Sequence, residues 1–427
     1  MDPVSNPYAP GAGQRPPELA GRDGELDSFG VVLERIARGR PERSIVLTGL
    51  RGVGKTVLLN AMRSTAVRAH WGTGKLEVRP DQSLRRPLAV ALHLAVRELS
   101  APNRAEADHV LGVIKSFALR EVPESARRPG RAGAAARVRE RWQPGIDVPV
   151  VPGRADSGDI EIDLVELLGD VAGLAGDAGR GVGIFIDEMQ DLEPDDVSAL
   201  CAACHELSQN GLPLVVVGAG LPHLPAVLSA SKSYSERLFR YARIDRLDRA
   251  AADRALRAPA REEGADFTED ALEELYAITA GYPYFVQAYG KVTWDVARVS
   301  PITADDVRLA APQAQAELAV GFFGSRYERA TPAEREYLRA MADLGAQDEA
   351  RLRVAGEAPV GQGAVPAVED EAVSTAAVAD LLGRKPQSLS PVRDGLIKKG
   401  LVFSGERGRI AFTVPHFGRY LRAHASD

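Results

Sequence analysis

The feature that most constrains the fold is an eight-residue stretch with fixed glycines, a lysine and a threonine. Residues 49–56 match the pattern G-x-x-x-x-G-K-[ST] at every fixed position. Glycines in such a loop let successive backbone N–H groups point at a phosphate, and the helix that follows adds its positive N-terminal end. The stretch lies between a short apolar run at 45–47 and apolar residues at 57–59. The sequence therefore predicts a phosphate-binding loop between a buried strand and a helix.

Two side chains of this loop have specific predicted tasks. Lys55 is expected to reach the β- and γ-phosphates of ATP, and the Thr56 hydroxyl is expected to bind Mg²⁺. The whole loop is predicted to contact the nucleotide; its residues are Gly49, Leu50, Arg51, Gly52, Val53, Gly54, Lys55 and Thr56.

A second motif supplies acidic side chains about 130 residues later. The apolar run 182–186 ends in Asp187 and Glu188. A buried strand would deliver Asp187 to its carboxyl end, where the carboxylate can hold Mg²⁺ through water, and Glu188 could polarise the attacking water. With one strand-helix unit between the two motifs, the sequence predicts the P-loop branch that has an extra strand and a catalytic glutamate.

Residues 18–323 resemble AAA+ ATPases. The resemblance rests on the opening Gly21-Arg22-Asp23-Gly24-Glu25-Leu26, on the phosphate-binding loop and on the Asp187-Glu188 pair, followed by a helical region. Within the AAA+ class the chain is similar to origin-recognition initiators and to STAND and archaeal-type signalling ATPases. The resemblance implies an arginine finger after the fourth strand, at the end of a helix, and Arg237 and Arg240 are the candidates. The alternative for either residue is an ordinary salt bridge or a solvated helix face.

The chain departs from the AAA+ pattern at two places. The polar sensor residue expected after the fourth strand is missing, since residues 218–220 are Gly-Ala-Gly. In the helical region, residues 281–284 (Gly-Tyr-Pro-Tyr) look like the Gly-x-Pro motif of the STAND group instead of supplying a sensor arginine. That group is typically a slow nucleotide switch, so nucleotide binding is expected while the rate of turnover stays open.

Strands that alternate with helices predict an α/β core with a parallel sheet covered on both faces. After residue 247 the pattern becomes purely helical, and the last part of the chain reads as a helix-turn-helix followed by a β-hairpin wing. The predicted parts are a disordered tail at 1–17, an ATPase core at 18–247 with an Arg-rich insert at about 122–158, a helical lid at 248–325, and a winged-helix domain at 330–427 that contains a linker or loop at 345–371.

The C-terminal part is basic although the whole chain carries a net charge of −6. Residues 372–427 hold nine Lys/Arg and four Asp/Glu, which suggests that this patch meets a polyanion. A winged helix places its second helix in the DNA major groove and its wing on the backbone. The alternative is a protein-contact module or a rigid arm. The predicted DNA contacts are Ser388, Ser390, Arg393, Lys398, Arg407 and Arg409.

The composition excludes several classes of protein. No apolar run approaches the ~18 residues of a membrane span, the first residues do not read as a secretory signal, and two cysteines cannot form a disulfide framework. We therefore expect a cytoplasmic ATPase that uses ATP and Mg²⁺, forms a homo-oligomer on ATP binding and couples nucleotide state to assembly or conformational change on double-stranded DNA. Two alternatives stay open: a slow signalling switch whose winged helix contacts protein, and a DNA-binding regulator that keeps nucleotide as a structural ligand.

Overall fold

The computed structural model describes most of the chain. The described residues are 1–11, 13–80, 82–99, 103–120, 148–354, 372–404, 408–414 and 416–424, with only the backbone described at 348–354. The predictions that concern residues 121–147, residues 355–371 and Arg407 lie outside these ranges.

Five parallel strands form the central sheet, in the order β5-β1-β4-β3-β2. The position of β4 between β1 and β3 confirms the extra strand predicted from the sequence. Every residue of β1 and of β3 is buried, as expected for strands covered on both faces. The strands are β1 (Ser44–Thr48), β2 (Gly72–Glu77), β3 (Val182–Asp187), β4 (Leu214–Gly220) and β5 (Phe239–Arg243).

Helices cover both faces of the sheet, so the predicted α/β class is confirmed. Because side chains of a strand alternate between faces, Ile45 and Leu47 pack into one hydrophobic core and Val46 into the other. Within the described part of the chain, no helix has the length and apolar content needed to cross a membrane. The helices of this region are α1 (Asp23–Ala37), α2 (Lys55–Arg68), α3 (Arg85–Glu98), α4 (Arg104–Leu119), α5 (Ile160–Asp177), α6 (Pro194–Gln209), α7 (Leu224–Ser231) and α8 (Ser235–Leu238).

The last strand, β5, begins directly after α8. Its first residue, Phe239, is 1% exposed and pairs with Ser44 at the beginning of β1. The prediction that Arg240 stands at the end of a helix is therefore wrong: it lies in β5, and only Arg237 belongs to α8.

Residues 148–158, the described end of the predicted insert, lie against the core. Residues 148–158 accept hydrogen bonds from α4, where Lys115 Nζ donates to Val148 O at 2.9 Å and Ser116 Oγ donates to Val151 O at 2.6 Å. Ala155 is fully buried. These last eleven residues of the predicted insert form no helix or strand, and hydrogen bonds from side chains of α4 together with one small buried residue hold them against the core.

Four helices follow the sheet and form the predicted helical region. A capping box begins α12, where Asp306 Oδ2 accepts from Thr303 N at 2.9 Å and Asp306 N donates to Thr303 Oγ1 at 3.4 Å. A π-helical turn at Ala319–Gly324 and a short helix lead to the C-terminal part. The helices are α9 (Arg249–Glu262), α10 (Glu269–Thr279), α11 (Pro283–Val296), α12 (Ala304–Leu318) and the short α13 (Ser325–Tyr327).

The N-terminal segment is ordered, so the prediction of a disordered tail is wrong for its described residues. Tyr8 is 3% exposed, and its hydroxyl donates to Leu256 O on α9 at 2.5 Å. Asn6 Nδ2 donates to Asp295 Oδ1 on α11 at 2.7 Å. The Tyr8 ring and the Asn6 side-chain amide thus hold the N-terminal segment on the helical region, although its Pro- and Gly-rich composition is typical of disorder. Further along, Gly13 lies against the Thr56 side chain, with its ideal Cβ position 3.1 Å from Cγ2.

The C-terminal part has the predicted winged helix-turn-helix order, with an extra short strand before it and an extra helix after it. Its three strands form an antiparallel sheet in the order β6-β8-β7. The elements are α14 (Pro332–Val354), β6 (Val373–Ser374), α15 (Thr375–Leu381), α16 (Pro386–Lys398), β7 (Val402–Phe403), β8 (Arg409–Phe412) and α17 (Phe417–Ala423).

Helix α14 continues beyond residue 345, where the sequence predicts the start of a linker. It ends at Val354, so the prediction is wrong for ten residues. The segment lacks an apolar stripe, but Ala, Gln, Glu, Arg and Leu dominate it, and these residues favour helix on backbone propensity alone.

An aromatic cluster joins the C-terminal part to the lid. Tyr284 stacks on Phe322 with ring centroids 4.5 Å apart, and Phe323 stacks on Tyr420 at 5.2 Å. The same hydrophobic core runs through both parts. Such ring pairs stabilise by about 0.5–1.5 kcal/mol beyond their area burial, so the C-terminal part is fixed on the lid by packing.

Candidate functional site

The loop at 49–56 sits at the carboxyl end of β1. Gly49 N donates to Gly220 O at the end of β4 at 3.2 Å. Gly52 and Gly54 have φ values of 86° and 92°, a left-handed backbone that residues other than glycine rarely adopt. Helix α2 then begins at Lys55, so the loop and the helix N-terminus face the same space.

Lys55 turns its ammonium back into the loop. Its Nζ donates to Gly49 O at 2.9 Å and to Leu50 O at 2.7 Å. Burial lowers the pKa of Lys55 to about 8, against the opposing charges of Glu188 and Asp187. A phosphate at this place would raise that pKa again, because it favours the charged ammonium.

The two predicted acids lie within electrostatic range of this lysine. Asp187 closes β3 and is 5% exposed, and its Oδ1 accepts from Glu188 N at 3.0 Å. Glu188 is half-buried, with a left-handed backbone at φ 50°. Both carboxylates act on the pKa of Lys55, so the fold brings the two motifs together at one edge of the sheet.

The Asp191 carboxyl, in the turn after β3, also has a shifted pKa. Burial, followed by the charge of Glu188, raises the pKa of Asp191 to about 6. The Glu188 carboxylate itself accepts a hydrogen bond from Gln190 Nε2 at 2.6 Å. Three acidic side chains therefore lie within five residues at the end of β3 and in the turn after it: Asp187, Glu188 and Asp191.

Arg22 belongs to the Gly21-Arg22-Asp23 motif, on which part of the AAA+ resemblance rests, and its contacts show what the arginine does. Its side chain is almost fully buried, and Nη2 donates to Val53 O in the phosphate loop at 3.2 Å and to Asp245 O just after β5. The guanidinium thus ties the start of α1 to the loop and to the approach to the lid, which is a structural role.

Sequence reasoning missed two residues beside the loop, Tyr282 and Arg326. Tyr282, the middle of the Gly-Tyr-Pro motif, is fully buried against Gly52, whose ideal Cβ position is 2.9 Å from the tyrosine Cε1. The Tyr282 hydroxyl has no hydrogen-bond partner among the described residues. Nearby, Arg51 and Arg326 form no ion pair within the described part of the chain, and burial, then the charge of Arg51, lowers the pKa of Arg326 to about 10.

These three side chains form a group that suits a polyanion. Buried charges are normally paired, because an uncompensated charge in a partly dry site is costly. Two guanidinium groups without a described carboxylate partner, beside a loop shaped for phosphate, fit the phosphates of a nucleotide. Arg51 occupies a variable position of the loop pattern and Arg326 lies beyond the lid motif, so no sequence signal singles them out.

The C-terminal part touches the phosphate loop directly. Arg51 N donates to Thr413 O, just after β8, at 3.3 Å. The Arg51 guanidinium lies against Gly400, where an ideal Cβ would come within 2.4 Å of Nη2. His416 stacks on Phe285 of α11 with centroids 5.7 Å apart, and burial lowers its pKa to about 4, which keeps this ring neutral.

The two predicted arginine-finger residues lie away from the loop of the same chain. Arg237 is exposed on α8 and lines a small cleft with Arg43, Ser44 and Leu214, at the amino end of β1. A five-residue strand separates this end from Gly49, which is roughly 16 Å. Arg240 is half-buried on the edge strand β5.

The predicted DNA contacts gather on α16 and the hairpin. Leu389 and Leu396 of this helix are buried. Lys398 and Arg409 are exposed, although the Arg409 guanidinium also donates to Ala372 O. The other described members are partly engaged within the domain: Ser388 Oγ donates to Lys385 O at 2.7 Å, Ser390 Oγ to Pro386 O at 3.5 Å, and Arg393 Nη2 to Asp394 Oδ1 at 3.2 Å.

Two protein families match parts of the chain. Residues 18–217 match the family described as AAA ATPase domain, which confirms the AAA+ resemblance for the α/β core. Residues 320–421 match a family described as Domain of unknown function (DUF8462). The search of curated proteins found no match.

Several solved structures are similar over nearly the full length of the chain. The Holliday junction branch migration motor RuvB of Thermotoga maritima has 16% identity, covering 96% of this chain and 99% of that one, with a TM-score of 0.41. The Aeropyrum pernix Orc1 protein in complex with DNA has 14% identity, covering 96% and 94%, with a TM-score of 0.41. Cdc6p from Pyrobaculum aerophilum has 13% identity, covering 99% and 98%, with a TM-score of 0.41. At these identities and TM-scores the likeness carries no functional argument.

Proposed function

We propose that this chain, whose residues 18–217 match the AAA ATPase domain, binds ATP with Mg²⁺, hydrolyses it and uses the nucleotide state to drive assembly or conformational change on double-stranded DNA. One observation carries the proposal: Lys55, Asp187 and Glu188 meet at one edge of the sheet, beside cationic side chains that have no ion-pair partner among the described residues. A site of this charge pattern supports a phosphorylated ligand held next to an acidic group.

Each side chain then has a task in phosphoryl transfer. Thr56 and Asp187 are the residues that would hold Mg²⁺, which when bound would neutralise negative charge on the phosphates. Lys55 compensates phosphate charge, and Glu188 orients and polarises the attacking water. Tyr282 and Arg326 offer further donors from the lid side, and Arg51 offers one from the loop itself. The residues 49–56 supply the loop that wraps the phosphates.

The domain division that we propose follows the sequence prediction. The ATPase core comprises 18–247 with its insert, the lid 248–325 and the winged-helix domain 330–427, in a cytoplasmic protein. The aromatic cluster supports a lid and winged helix that move as one body. Because the winged helix also contacts Arg51, a change at the phosphate loop would be passed to the DNA-binding face.

Self-assembly is part of the proposal because β4, the strand next to the phosphate loop, ends in Gly-Ala-Gly and brings no cation to the γ-phosphate. Arg237 is exposed in a cleft at the amino end of β1, and the phosphate loop of its own chain follows the other end of that strand, which is roughly 16 Å long, so Arg237 would not act there. An exposed arginine in this place supports a role at the nucleotide of a neighbouring copy, so ATP binding would favour a homo-oligomer.

We expect DNA affinity to depend on the basic residues of the winged helix. Replacing Lys398 or Arg409 with alanine should weaken binding to all duplex sequences alike, and the salt dependence should fall by roughly one unit of slope for each phosphate that is no longer neutralised. Fluorescence anisotropy with a labelled duplex at several salt concentrations measures both effects. The same anisotropy measurement, made with alanine variants, tests the other proposed DNA contacts: Ser388, Ser390, Arg393 and Arg407.

The control for this prediction is Arg38→Ala, which removes the same charge from an exposed position at the end of α1. It should leave the salt slope unchanged. Equal binding by the parent and by a combined Lys398→Ala/Arg409→Ala variant would move the DNA site away from the winged helix.

A slow nucleotide switch is the second candidate function, and one contact favours it. The winged helix packs on the phosphate loop through Thr413 and Gly400, as expected if nucleotide controls its release. ADP that co-purifies with negligible turnover would support the switch, whereas ATPase activity stimulated by duplex DNA would support the first proposal. Turnover that is unaffected by Glu188→Gln would instead favour a DNA-binding regulator with a structural nucleotide.

A further inference from the structure

The end of β4 lacks a polar side chain, and the structure gives a steric reason. An ideal Cβ on Gly218 would lie 2.3 Å from Met189 Sδ, and one on Gly220 would lie 2.8 Å from Gln190 Oε1 and 2.6 Å from Leu224 Cδ2. Two of these atoms belong to the turn after β3. The turn therefore fills the space that a side chain from β4 would need.

Gln190 occupies this space in a specific way. Its Oε1 accepts from Leu221 N, directly after β4, at 3.1 Å, and its Nε2 donates to Glu188 Oε2 at 2.6 Å. One amide thus spans the ends of two adjacent strands and holds one oxygen of the Glu188 carboxylate.

The backbone of the turn makes this contact possible. Glu188 has a left-handed conformation at φ 50°, and Asp191 N donates to Glu188 O at 3.0 Å. This tight turn brings the side chain two residues later back onto the glutamate. A non-glycine residue with positive φ is strained, so the surrounding contacts must hold Glu188 in this conformation.

We infer that Gln190 is a positioning residue for hydrolysis, and that it supplies from the β3 side the polar group that β4 lacks. The inference rests on the proposed ATPase function. Gln190 orients the Glu188 carboxylate toward the attacking water through a charge-assisted hydrogen bond, and the glycines of β4 make room for it. Nucleotide binding does not involve Gln190, since the phosphate loop follows a different strand, β1.

The test compares two substitutions of Gln190. They distinguish its hydrogen bond to Glu188 from its hydrogen bond to the backbone after β4. Gln190→Glu keeps an oxygen that accepts from Leu221 N but places a carboxylate, not a donor, against Glu188. Gln190→Ala removes both contacts. If Gln190 positions Glu188, both variants should lower the single-turnover rate of ATP hydrolysis by about tenfold to a hundredfold, while the Kd for a fluorescent ATP analogue stays within about threefold. Gln209→Glu, on the exposed end of α6, adds the same charge elsewhere and should behave as the parent.

A double variant shows whether the effect passes through Glu188. Adding Gln190→Glu to Glu188→Gln should cost little further rate, because the residue that it positions is already disabled. Thermal unfolding of each variant identifies any loss of fold. The inference is overturned if Gln190→Glu hydrolyses ATP as fast as the parent or faster, or if the two substitutions act additively. A parent without turnover would overturn the proposed function itself, so the two failures are distinguishable.

Discussion

We expect Glu188→Gln to bind ATP as tightly as the parent and to hydrolyse it about a hundredfold to ten-thousandfold more slowly, the range that a general base contributes. The reason lies in the position of the residue at the end of β3, next to Asp187 and within electrostatic range of Lys55. Glutamine keeps the shape but cannot accept a proton from water, so only the transition state loses stabilisation. Phosphate release under saturating ATP, together with calorimetric titration of ATP, measures the two quantities.

The matched control for this substitution is Glu193→Gln, which makes the same change at an exposed position before α6. It should hydrolyse ATP at the parental rate. Equal turnover in Glu188→Gln and the parent would mean that another group activates the water.

Arg237→Ala is expected to remove most of the activity that depends on assembly. The transition state of phosphoryl transfer spreads negative charge over three oxygens, and an arginine supplied there is worth about 10³–10⁵ in rate. Arg237 is exposed at the amino end of the sheet and too far from its own phosphate loop, so it would act on a neighbour. Specific activity of the parent should rise with protein concentration, and Arg237→Ala should abolish the rise while ATP affinity stays nearly the same. Arg240→Ala should have a smaller effect, because this residue lies in β5.

Mixing inactive variants tests whether the site is shared. Arg237→Ala and Lys55→Ala, combined, should recover some activity, because one interface of a mixed assembly pairs an intact phosphate loop with an intact arginine. Constant specific activity over about a hundredfold dilution, with a monomer throughout in light scattering, would exclude a shared site.

Local sequence patterns predict much of the fold. The apolar runs give β1, β3 and β4 because these strands are buried on both faces and need uninterrupted hydrophobic residues. Hydrophobic patterns do not predict the structure where a single buried side chain or helix propensity orders the chain. One aromatic anchor orders the Pro- and Gly-rich segment at Tyr8, and helix propensity without amphipathicity extends α14 to Val354.

The sequence predicts only those residues of the candidate site that belong to recognisable motifs. The loop and the Asp187-Glu188 pair carry fixed spacings, since phosphate and strand geometry demand them. Arg326 reaches the site through tertiary packing, and its neighbours in sequence reveal nothing about it. Tyr282 and Gln190 lie in or beside sequence motifs, but their contacts with Gly52 and Glu188 depend on the folded backbone. The glycines at 218 and 220 appeared as a missing sensor, whereas the structure accounts for them by the approach of Met189 and Gln190.

The most direct test of the account is ATP binding by Lys55→Ala, measured by isothermal titration calorimetry with Mg²⁺. Lys55 lies where the phosphates would meet the loop, and its loss leaves their charge uncompensated in a partly dry site. The account predicts that the parent binds ATP and that the variant, with an unfolding midpoint close to that of the parent, does not. Micromolar binding of ATP by the folded variant would contradict the claim that residues 49–56 form the nucleotide site.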